Sequence, residues 1–275
     1  MQETSRIRKH VKTALLFIAT FAVIFVAGSF LLVKYLYDAQ FSRAEAPAYT
    51  GRIAYEDVRE AYLREERSFY SGKNRLAGYL YGPADAKGLV VVAHGLGGGA
   101  ANYLPQTLYF VDRGYRVFAY DCTGSYASEG KSTRGLPQSA LDLDAALTYI
   151  EGEEALSGLP VLLFGHSWGG YAVAAVLNGA HRIAGVASVS GYNSPMEMLD
   201  EQAHEILGAF AAAEYPFVWA YQRLLFGSAA GVTAVDGINR SGVPAYIVHG
   251  SADEVIRYDG ASIIARQAEI TNPAV

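Results

Sequence analysis

Cysteine is nearly absent from this 275-residue sequence, which contains Cys122 alone. One cysteine cannot form an internal disulfide, so the hydrophobic core must hold the fold and a disulfide-rich secreted class is excluded. Positive charge is also scarce, since 22 Lys and Arg against 27 Asp and Glu leave a net charge of −5. Such a chain offers no basic surface for a polyanion, and we expect no nucleic-acid partner.

Charge is missing altogether between Thr13 and Val33, over 21 positions. A helix of that length crosses the ~30 Å hydrocarbon core of a bilayer. The alternative is a cleaved signal peptide, but its apolar region usually has about 7–15 residues. The nearest small-x-small site, Ala44 to Ala46, lies well downstream and is followed by Pro47. We therefore predict an uncleaved, single-pass transmembrane helix over 13–33.

The basic residues near this stretch stand almost entirely on its N-terminal side. They are Arg6, Arg8, Lys9 and Lys12. The positive-inside rule then makes 1–12 a cytoplasmic tail and places the globular part outside the cytoplasm, which fits a bacterial surface protein. Residues 34–66 are polar and predict either a helical stalk or a solvated linker. The globular domain is expected over 67–275.

From residue 67 onwards, short apolar runs alternate with helical patterns. A hairpin is predicted first, with strands 67–70 and 76–81 around the turn 71–74. Further strands are predicted at 89–93, 117–120, 161–164, 186–189 and 245–248. Between them, apolar residues recur every three to four positions, as at Leu104, Leu108 and Val111. This alternation predicts an α/β fold with a mostly parallel sheet covered on both faces.

Two segments of the globular part depart from the simple alternation. An insertion over 192–240 is rich in Met and aromatic residues, which predicts either a helical cap with an apolar inner face or ordinary core packing. After the last predicted strand, 261–270 has a helical pattern, and the chain then ends where the next parallel strand would begin.

The most informative motif follows the strand over 161–164. There the sequence Gly165-His166-Ser167-Trp168-Gly169 fits G-x-S-x-G, the turn that presents a nucleophilic serine between a strand and a helix. The turn is so sharp that the two glycines are needed to avoid side-chain collisions. Chance alone would place this pattern in about one such glycine-rich chain in five, so its context decides.

Two further strand ends supply that context. Residues 94–99, His-Gly-Leu-Gly-Gly-Gly, form a glycine-rich turn, where the N–H of Leu96 and the N–H of Trp168 are candidates to hold an oxyanion. Late in the chain, Asp253 follows the strand over 245–248 and is the candidate acid that would orient an imidazole.

These three motifs, strand-H-G-x-G-G, strand-G-H-S-W-G-G and strand-H-G-S-A-D-x-x-I, resemble an α/β-hydrolase. The chain is most similar to the serine-aminopeptidase-like group, which includes monoacylglycerol lipases and related esterases. The likeness runs from about Arg67 to the C-terminus. It implies a serine hydrolase acting on ester, thioester or amide bonds, with no metal and no organic cofactor. The apolar insertion and the membrane tether favour an apolar, lipid-like acyl substrate. The loop Asp121 to Gly130 also resembles the group's D-x-x-G-x-G-x-S, departing at Tyr126 and Ala127.

The implied triad has the order Ser, acid, His, yet no histidine follows Asp253. The six histidines are His10, His94, His166, His181, His204 and His249. Three of these, at 94, 166 and 249, belong to the strand-end motifs and are expected to be structural. Two explanations compete: a catalytically inactive surface binding module, or a chain that lacks the last strand and helix of the fold. The second is favoured, and the chain as given is expected to be inactive, because loss of the base typically costs ~10⁶ in kcat.

Other folds explain the motifs less well than an α/β-hydrolase does. Residues 95–100 fit G-x-G-x-x-A, and Asp121 ends the next strand where a ribose-binding acid would lie in a dinucleotide fold. Pro105 delays the helix that should begin at the pyrophosphate, and Ser167 and Asp253 would then have no role. A P-loop at 124–132 has the wrong spacing, and His204-Glu205 has no second histidine for a zinc-protease helix.

Overall fold

The computed structural model describes residues 2–47 and 53–275. In these residues seven strands form one sheet in the order β1-β2-β4-β3-β5-β6-β7. They are β1 Arg64–Ser71, β2 Asn74–Tyr81, β3 Leu89–Ala93, β4 Arg116–Tyr120, β5 Val161–His166, β6 Ile183–Val189 and β7 Ala245–Val248. The β1/β2 and β2/β4 pairs are antiparallel, and the remaining pairs are parallel. The predicted hairpin and mostly parallel sheet are confirmed.

Helices cover both faces of the sheet, as the alternation predicted. They are α1 Gln2–Gln40, α2 Tyr55–Val58, α3 Leu104–Val111, α4 Gln138–Gly152, α5 Glu154–Ser157, α6 Trp168–Ala175, α7 Pro195–Leu207, α8 Ala211–Phe226 and α9 Ala234–Ser241. Successive residues of β3 point to opposite faces, so Val91 joins the core cluster that contains α4, α6 and α9. Val90 and Val92 join the second cluster, which contains α3. The parallel strands are therefore apolar on both sides.

The insertion between β6 and β7 contains α7 and α8, which we call the cap. The helix α9 lay inside the insertion predicted over 192–240, but it packs on α6 as part of the core. A Cβ atom added at Gly237 would lie 2.3 Å from the carbonyl oxygen of Ala174, so these two helices approach very closely. Ile238 is fully buried beside them. The cap is therefore shorter than the predicted insertion.

The helix α1 is continuous past the predicted span and reaches the globular core. Its apolar stretch is exposed, and its length and composition would allow it to cross a membrane. Beyond that stretch, Tyr37 and Phe41 are buried in the main core cluster. Arg43 donates to the carbonyl oxygens of Ser128 and Gly130 at 2.9 and 3.0 Å and to that of Tyr126. The first part of the predicted linker thus packs on the domain, because its aromatic residues complete the core.

The end of the chain also differs from the sequence prediction. The helix expected over 261–270 is only a 3₁₀ helix, Ile264–Glu269, with a kink at Arg266. After it, the carbonyl oxygen of Ala274 accepts a hydrogen bond from the N–H of Ala245 at 3.0 Å. The last residues therefore contact β7 at the edge of the sheet.

Candidate active site

Ser167 occupies a strained turn between β5 and α6. Its backbone angles are φ 55° and ψ −115°, a conformation that costs a non-glycine residue of order 1–3 kcal/mol. A Cβ atom at Gly165 would lie 2.1 Å from the carbonyl oxygen of Gly169, and one at Gly169 would lie 2.0 Å from that of Ala93. Strand, turn and helix can therefore pack together only with glycine at both positions. The serine is presented at the carboxyl end of the parallel strands.

The glycine-rich turn after β3 lies directly against this serine. A Cβ atom at Gly95 would be 3.5 Å from the Cβ of Ser167, which is ordinary van der Waals contact. Within residues 2–47 and 53–275, neither the N–H of Leu96 nor that of Trp168 donates to a protein acceptor. Trp168 is the first residue of α6, so its N–H lies at the positive end of the helix dipole. Both donors are free for a ligand beside Ser167.

The indole of Trp168 fixes the start of α6. It is 1% exposed, and its Nε1 donates to the carbonyl oxygen of Leu136 at 2.8 Å. The carbonyl oxygen of Trp168 accepts from the hydroxyl of Ser139 at 3.1 Å. The first turn of the helix is therefore held by the segment preceding α4 and by α4 itself.

Two histidines of the strand-end motifs are engaged in structural hydrogen bonds. The Nε2 of His94 accepts from the N–H of Cys122 at 2.9 Å, and its Nδ1 lies 2.8 Å from the carbonyl oxygen of Gly95. Burial lowers the pKa of His94, which favours this neutral form. The Nδ1 of His166 lies 2.8 Å from the hydroxyl of Tyr103, which also accepts from the N–H of Gly95. Both imidazoles therefore stabilise the glycine-rich turn after β3.

Asp253 lies in the turn after β7 and is held in its ionised form. Its Oδ1 accepts from the N–H groups of Val255 and Ile256, both at 3.0 Å. Burial raises the pKa of Asp253, but these bonds, the hydroxyl of Ser190 and the nearby His249 outweigh it and keep the pKa below its usual value. Its charge in turn raises the pKa of His166, against the larger lowering by burial. The carboxylate is thus close to the Ser167 turn without a bond to it.

Ser190 connects this acid to the sheet, and sequence reasoning missed it. It follows β6 with φ 47°, and its N–H donates to the carbonyl oxygen of Val248 at 2.7 Å. Its neighbour Val189 accepts from the N–H of Ser167 at 2.8 Å. The ends of β5, β6 and β7 are therefore joined side by side. No local signal marks Ser190, because its role depends on a strand nearly sixty residues away.

The third member of a triad is not found beside Ser167. His249 is buried, with its Nε2 2.8 Å from the carbonyl oxygen of Ile256 and 3.5 Å from the Oδ2 of Asp253. His181 pairs with Asp144 and Glu151 on the surface, and His204 lies on α7. Among the described residues, no histidine forms a hydrogen bond with Ser167. The structure brings Ser167, Leu96, Trp168 and Asp253 to the carboxyl end of the parallel strands, and among the described residues no histidine is bonded to Ser167 as a base.

Asp121 is fully engaged in the loop that supports the glycine-rich turn. Its Oδ1 accepts from the N–H of Ala100 at 2.7 Å, and its Oδ2 accepts from the hydroxyl of Tyr79 and the N–H of Ala127, both at 3.2 Å. A ribose could not displace these bonds without opening the loop. The dinucleotide alternative therefore finds no support in this site.

Comparisons with known proteins find relatives that match part of the chain. The family described as "Serine aminopeptidase, S33" matches residues 84–216. RutD of Variovorax paradoxus, named as a carbamate hydrolase, is 31% identical over 117 residues, which are 42% of this chain and 42% of that protein. The quorum-quenching protein AidA of Acinetobacter baumannii is 30% identical over 139 residues, 47% of this chain and 46% of that one. The matched part thus spans less than half the length of either relative.

Solved structures extend the likeness to most of the chain. The Pyrococcus furiosus esterase Pf2001 superposes with a TM-score of 0.58 at 17% identity, covering 80% of this chain and 81% of the esterase. Est1E of Butyrivibrio proteoclasticus, solved with ferulic acid bound, gives a TM-score of 0.58 at 18% identity, covering 75% and 86%. At such low identity these similarities concern the fold alone.

Proposed function

We propose that this chain, which has the α/β-hydrolase fold, is a serine hydrolase in which Ser167 is the nucleophile. The observation that carries the proposal is the backbone of Ser167, a non-glycine residue at φ 55° between β5 and α6. Such strain persists only where the surrounding structure enforces it, and it is concentrated at functional sites. A serine that served only packing would have no need of this turn.

The proposed reaction is acyl transfer to Ser167 followed by hydrolysis. The hydroxyl oxygen of Ser167 attacks a carbonyl carbon while a base takes its proton, and the N–H groups of Leu96 and Trp168 stabilise the resulting oxyanion. The intermediate collapses, the leaving alcohol, thiol or amine takes up the proton, and water then releases the acid by the same steps. Asp253 would orient the imidazole base and stabilise its cation. That imidazole is the one group the described residues do not bring to Ser167.

The substrate class we propose is an ester, thioester or amide of an apolar acyl group. The name of one relative, RutD, points to a carbonyl substrate, a carbamate. The exposed apolar length of α1 supports a single-pass anchor over 13–33, with the N-terminus in the cytoplasm and the hydrolase domain outside. A membrane-tethered hydrolase would meet lipid-like substrates at high local concentration.

A second candidate function is a surface binding module that has the fold without the chemistry. It is favoured by one observation, the lack of any histidine bonded to Ser167 among the described residues. It predicts that a ligand binds at the carboxyl end of the parallel strands with no covalent step.

A fluorophosphonate probe distinguishes the two functions, because it labels only an activated serine. We expect weak labelling of the full chain in detergent, a clear increase when free imidazole is added as a substitute base, and none in Ser167→Ala. Asp253→Asn should reduce the increase that imidazole produces, because Asp253 would orient the added imidazole. If the chain stays unlabelled at all imidazole concentrations while it binds apolar acyl ligands, the binding-module function is correct.

A further inference from the structure

The helices α1 and α8 run side by side in the same direction, with a fixed register. The hydroxyl of Ser29 donates to the Oε1 of Glu214 at 2.9 Å, and that of Tyr37 donates to the Oε1 of Gln222 at 2.9 Å. Each pair is separated by 185 positions along the chain. Phe217 of α8 adds edge contacts to the rings of Phe25 and Phe30. Because both pairs have the same separation, each residue of α8 lies at the same height as the residue of α1 that is 185 positions earlier.

This register places the start of α8 beside the apolar span of α1. Ala211 lies level with Val26, and Val218 lies level with Val33, the last residue of the proposed span. With a rise of 1.5 Å per residue, the first two turns of α8 therefore lie up to about 10 Å inside the boundary of the span. If 13–33 crosses a bilayer, this part of the cap cannot remain in water.

The composition of the cap fits that position. From Ile206 to Gln222 the only charged residue is Glu214. Its carboxylate is buried, with one oxygen held by Ser29. Charged groups at membrane depth are tolerated when they face protein in this way. Phe210, in the turn before α8, is 47% exposed, and Ile206, near the end of α7, is 65% exposed.

An aromatic and a charged residue of α8 lie at the level where the boundary of the membrane is expected. Trp219, 48% exposed, lies level with Lys34, the first charged residue after the span. The guanidinium of Arg223, one turn further along, lies over the indole ring at 5.5 Å. Tryptophan with a cation beyond it is the pattern of a membrane interface. A cavity of about 410 Å³ between α1 and the cap, with Leu32, Val33 and Val218 in its wall, lies at this same level.

We propose that the corner between α7 and α8, from Gly208 to Val218, is immersed in the leaflet on the hydrolase side of the membrane. The cap is then a lipid-contacting surface rather than a cover exposed to water, and the cavity beside α1 faces acyl chains. This inference rests on the proposed membrane span of 13–33, and it is independent of whether Ser167 is catalytically active.

The two tryptophans of the chain allow a direct test. The vesicles are of phosphatidylcholine with acyl chains brominated near the carbonyl end. We expect bromine to quench the emission of Trp219 in the full chain. The emission of buried Trp168, which is seen alone in Trp219→Phe, should not be quenched. In the Trp219→Phe background, Ala213→Trp, level with Gly28, should be quenched more strongly by bromine near the middle of the acyl chain. Tyr109→Trp, exposed on α3 at the other face of the sheet, is the matched control and should keep its emission.

The possible outcomes test the immersion of the corner 208–218 separately from the membrane span of 13–33 and from the hydrolase proposal. Alkaline carbonate extraction of the same vesicles reports whether α1 spans the bilayer. Retention in the membrane with no quenching at positions 213 and 219 would overturn the immersion and leave the anchor standing, whereas release by carbonate would overturn both. Ser167→Ala should show unchanged quenching, so failure of the hydrolase proposal would leave this result intact.

Discussion

The N–H of Ser167 donates to the carbonyl oxygen of Val189 at 2.8 Å, so the candidate nucleophile is fastened to the strand next to its own. Without this bond the positive φ of Ser167 could relax into an ordinary helix start. The bond and the glycine contacts around it hold the strained turn in place, and the strain at Ser167 is a cost to the stability of the fold.

Replacing Ser167 by glycine should therefore stabilise the protein. Glycine adopts positive φ without a Cβ clash, and after its larger unfolded-state entropy is subtracted the expected gain in the free energy of unfolding is about 1 kcal/mol. Denaturant unfolding in detergent measures it. Ser167→Ala is the matched control, since it also abolishes fluorophosphonate labelling but keeps the Cβ. Equal stability of the two variants would mean that the turn is not strained.

Glycine at position 169 should be essential for folding. Gly169→Ala places a Cβ where the carbonyl oxygen of Ala93 lies 2.0 Å away, and neither backbone can move without breaking the packing of β3 on α6. We expect a loss of about 3 kcal/mol or more. Gly152→Ala, at the end of α4 with nothing within 4 Å of the added atom, should instead be neutral or gain up to about 1 kcal/mol. Thermal unfolding of both variants checks the contrast.

Local patterns in the sequence were sufficient for the parts of the fold where strands are buried and turns are chemically explicit. The strand β3 has the predicted bounds because its uninterrupted run of Leu, Val and Ala is buried on both faces. The strand β7 also has the predicted bounds, although Tyr246 and Val248 are exposed. Gly72, at φ 57°, lies in the predicted hairpin turn. The start of β1 at Arg64 was missed, since an exposed edge strand tolerates charged residues that resemble a linker.

Features that depend on distant contacts were not accessible from the sequence. Nothing local indicates that Tyr37 and Phe41 complete the core, because their partners lie on α8 and in the loop before α4. The same holds for Ser190, whose bond to Asp253 exists only once β6 and β7 are paired. The candidate nucleophile and oxyanion donors could be predicted because they follow their own strands within a few residues.

Arg43 should determine how firmly the segment after α1 is docked. Its guanidinium serves three carbonyl oxygens of the loop 126–130, so Arg43→Ala should destabilise the protein by about 1–2 kcal/mol and accelerate amide exchange in that loop. Arg43→Lys keeps the charge but lacks the planar guanidinium with its several donors, so it should restore only part of the lost stability. Hydrogen exchange by mass spectrometry reports the loop. Unchanged exchange in Arg43→Ala would show that the buried aromatic residues alone hold the segment.

His181 should make the stability of the protein depend on pH. Its two ring nitrogens lie 2.9 Å from the Oδ1 of Asp144 and 3.0 Å from the Oε1 of Glu151. Burial lowers the pKa of His181, but the hydrogen bonds to these two carboxylates outweigh it and raise the pKa above its ordinary value. A raised folded-state pKa contributes stability that is fully present below the unfolded value of about 6.5 and is lost as pH rises through the folded value.

The corresponding experiment compares the protein with His181→Gln across this window. The difference in thermal midpoint between the two should be larger at about pH 5.5 than at about pH 8.5, because the charged imidazole binds both carboxylates only at the lower pH. The double variant Asp144→Asn with Glu151→Gln removes the partners and should show the same loss. A difference that is equal at both pH values would mean that His181 stabilises through packing, since packing against α4 does not change with protonation.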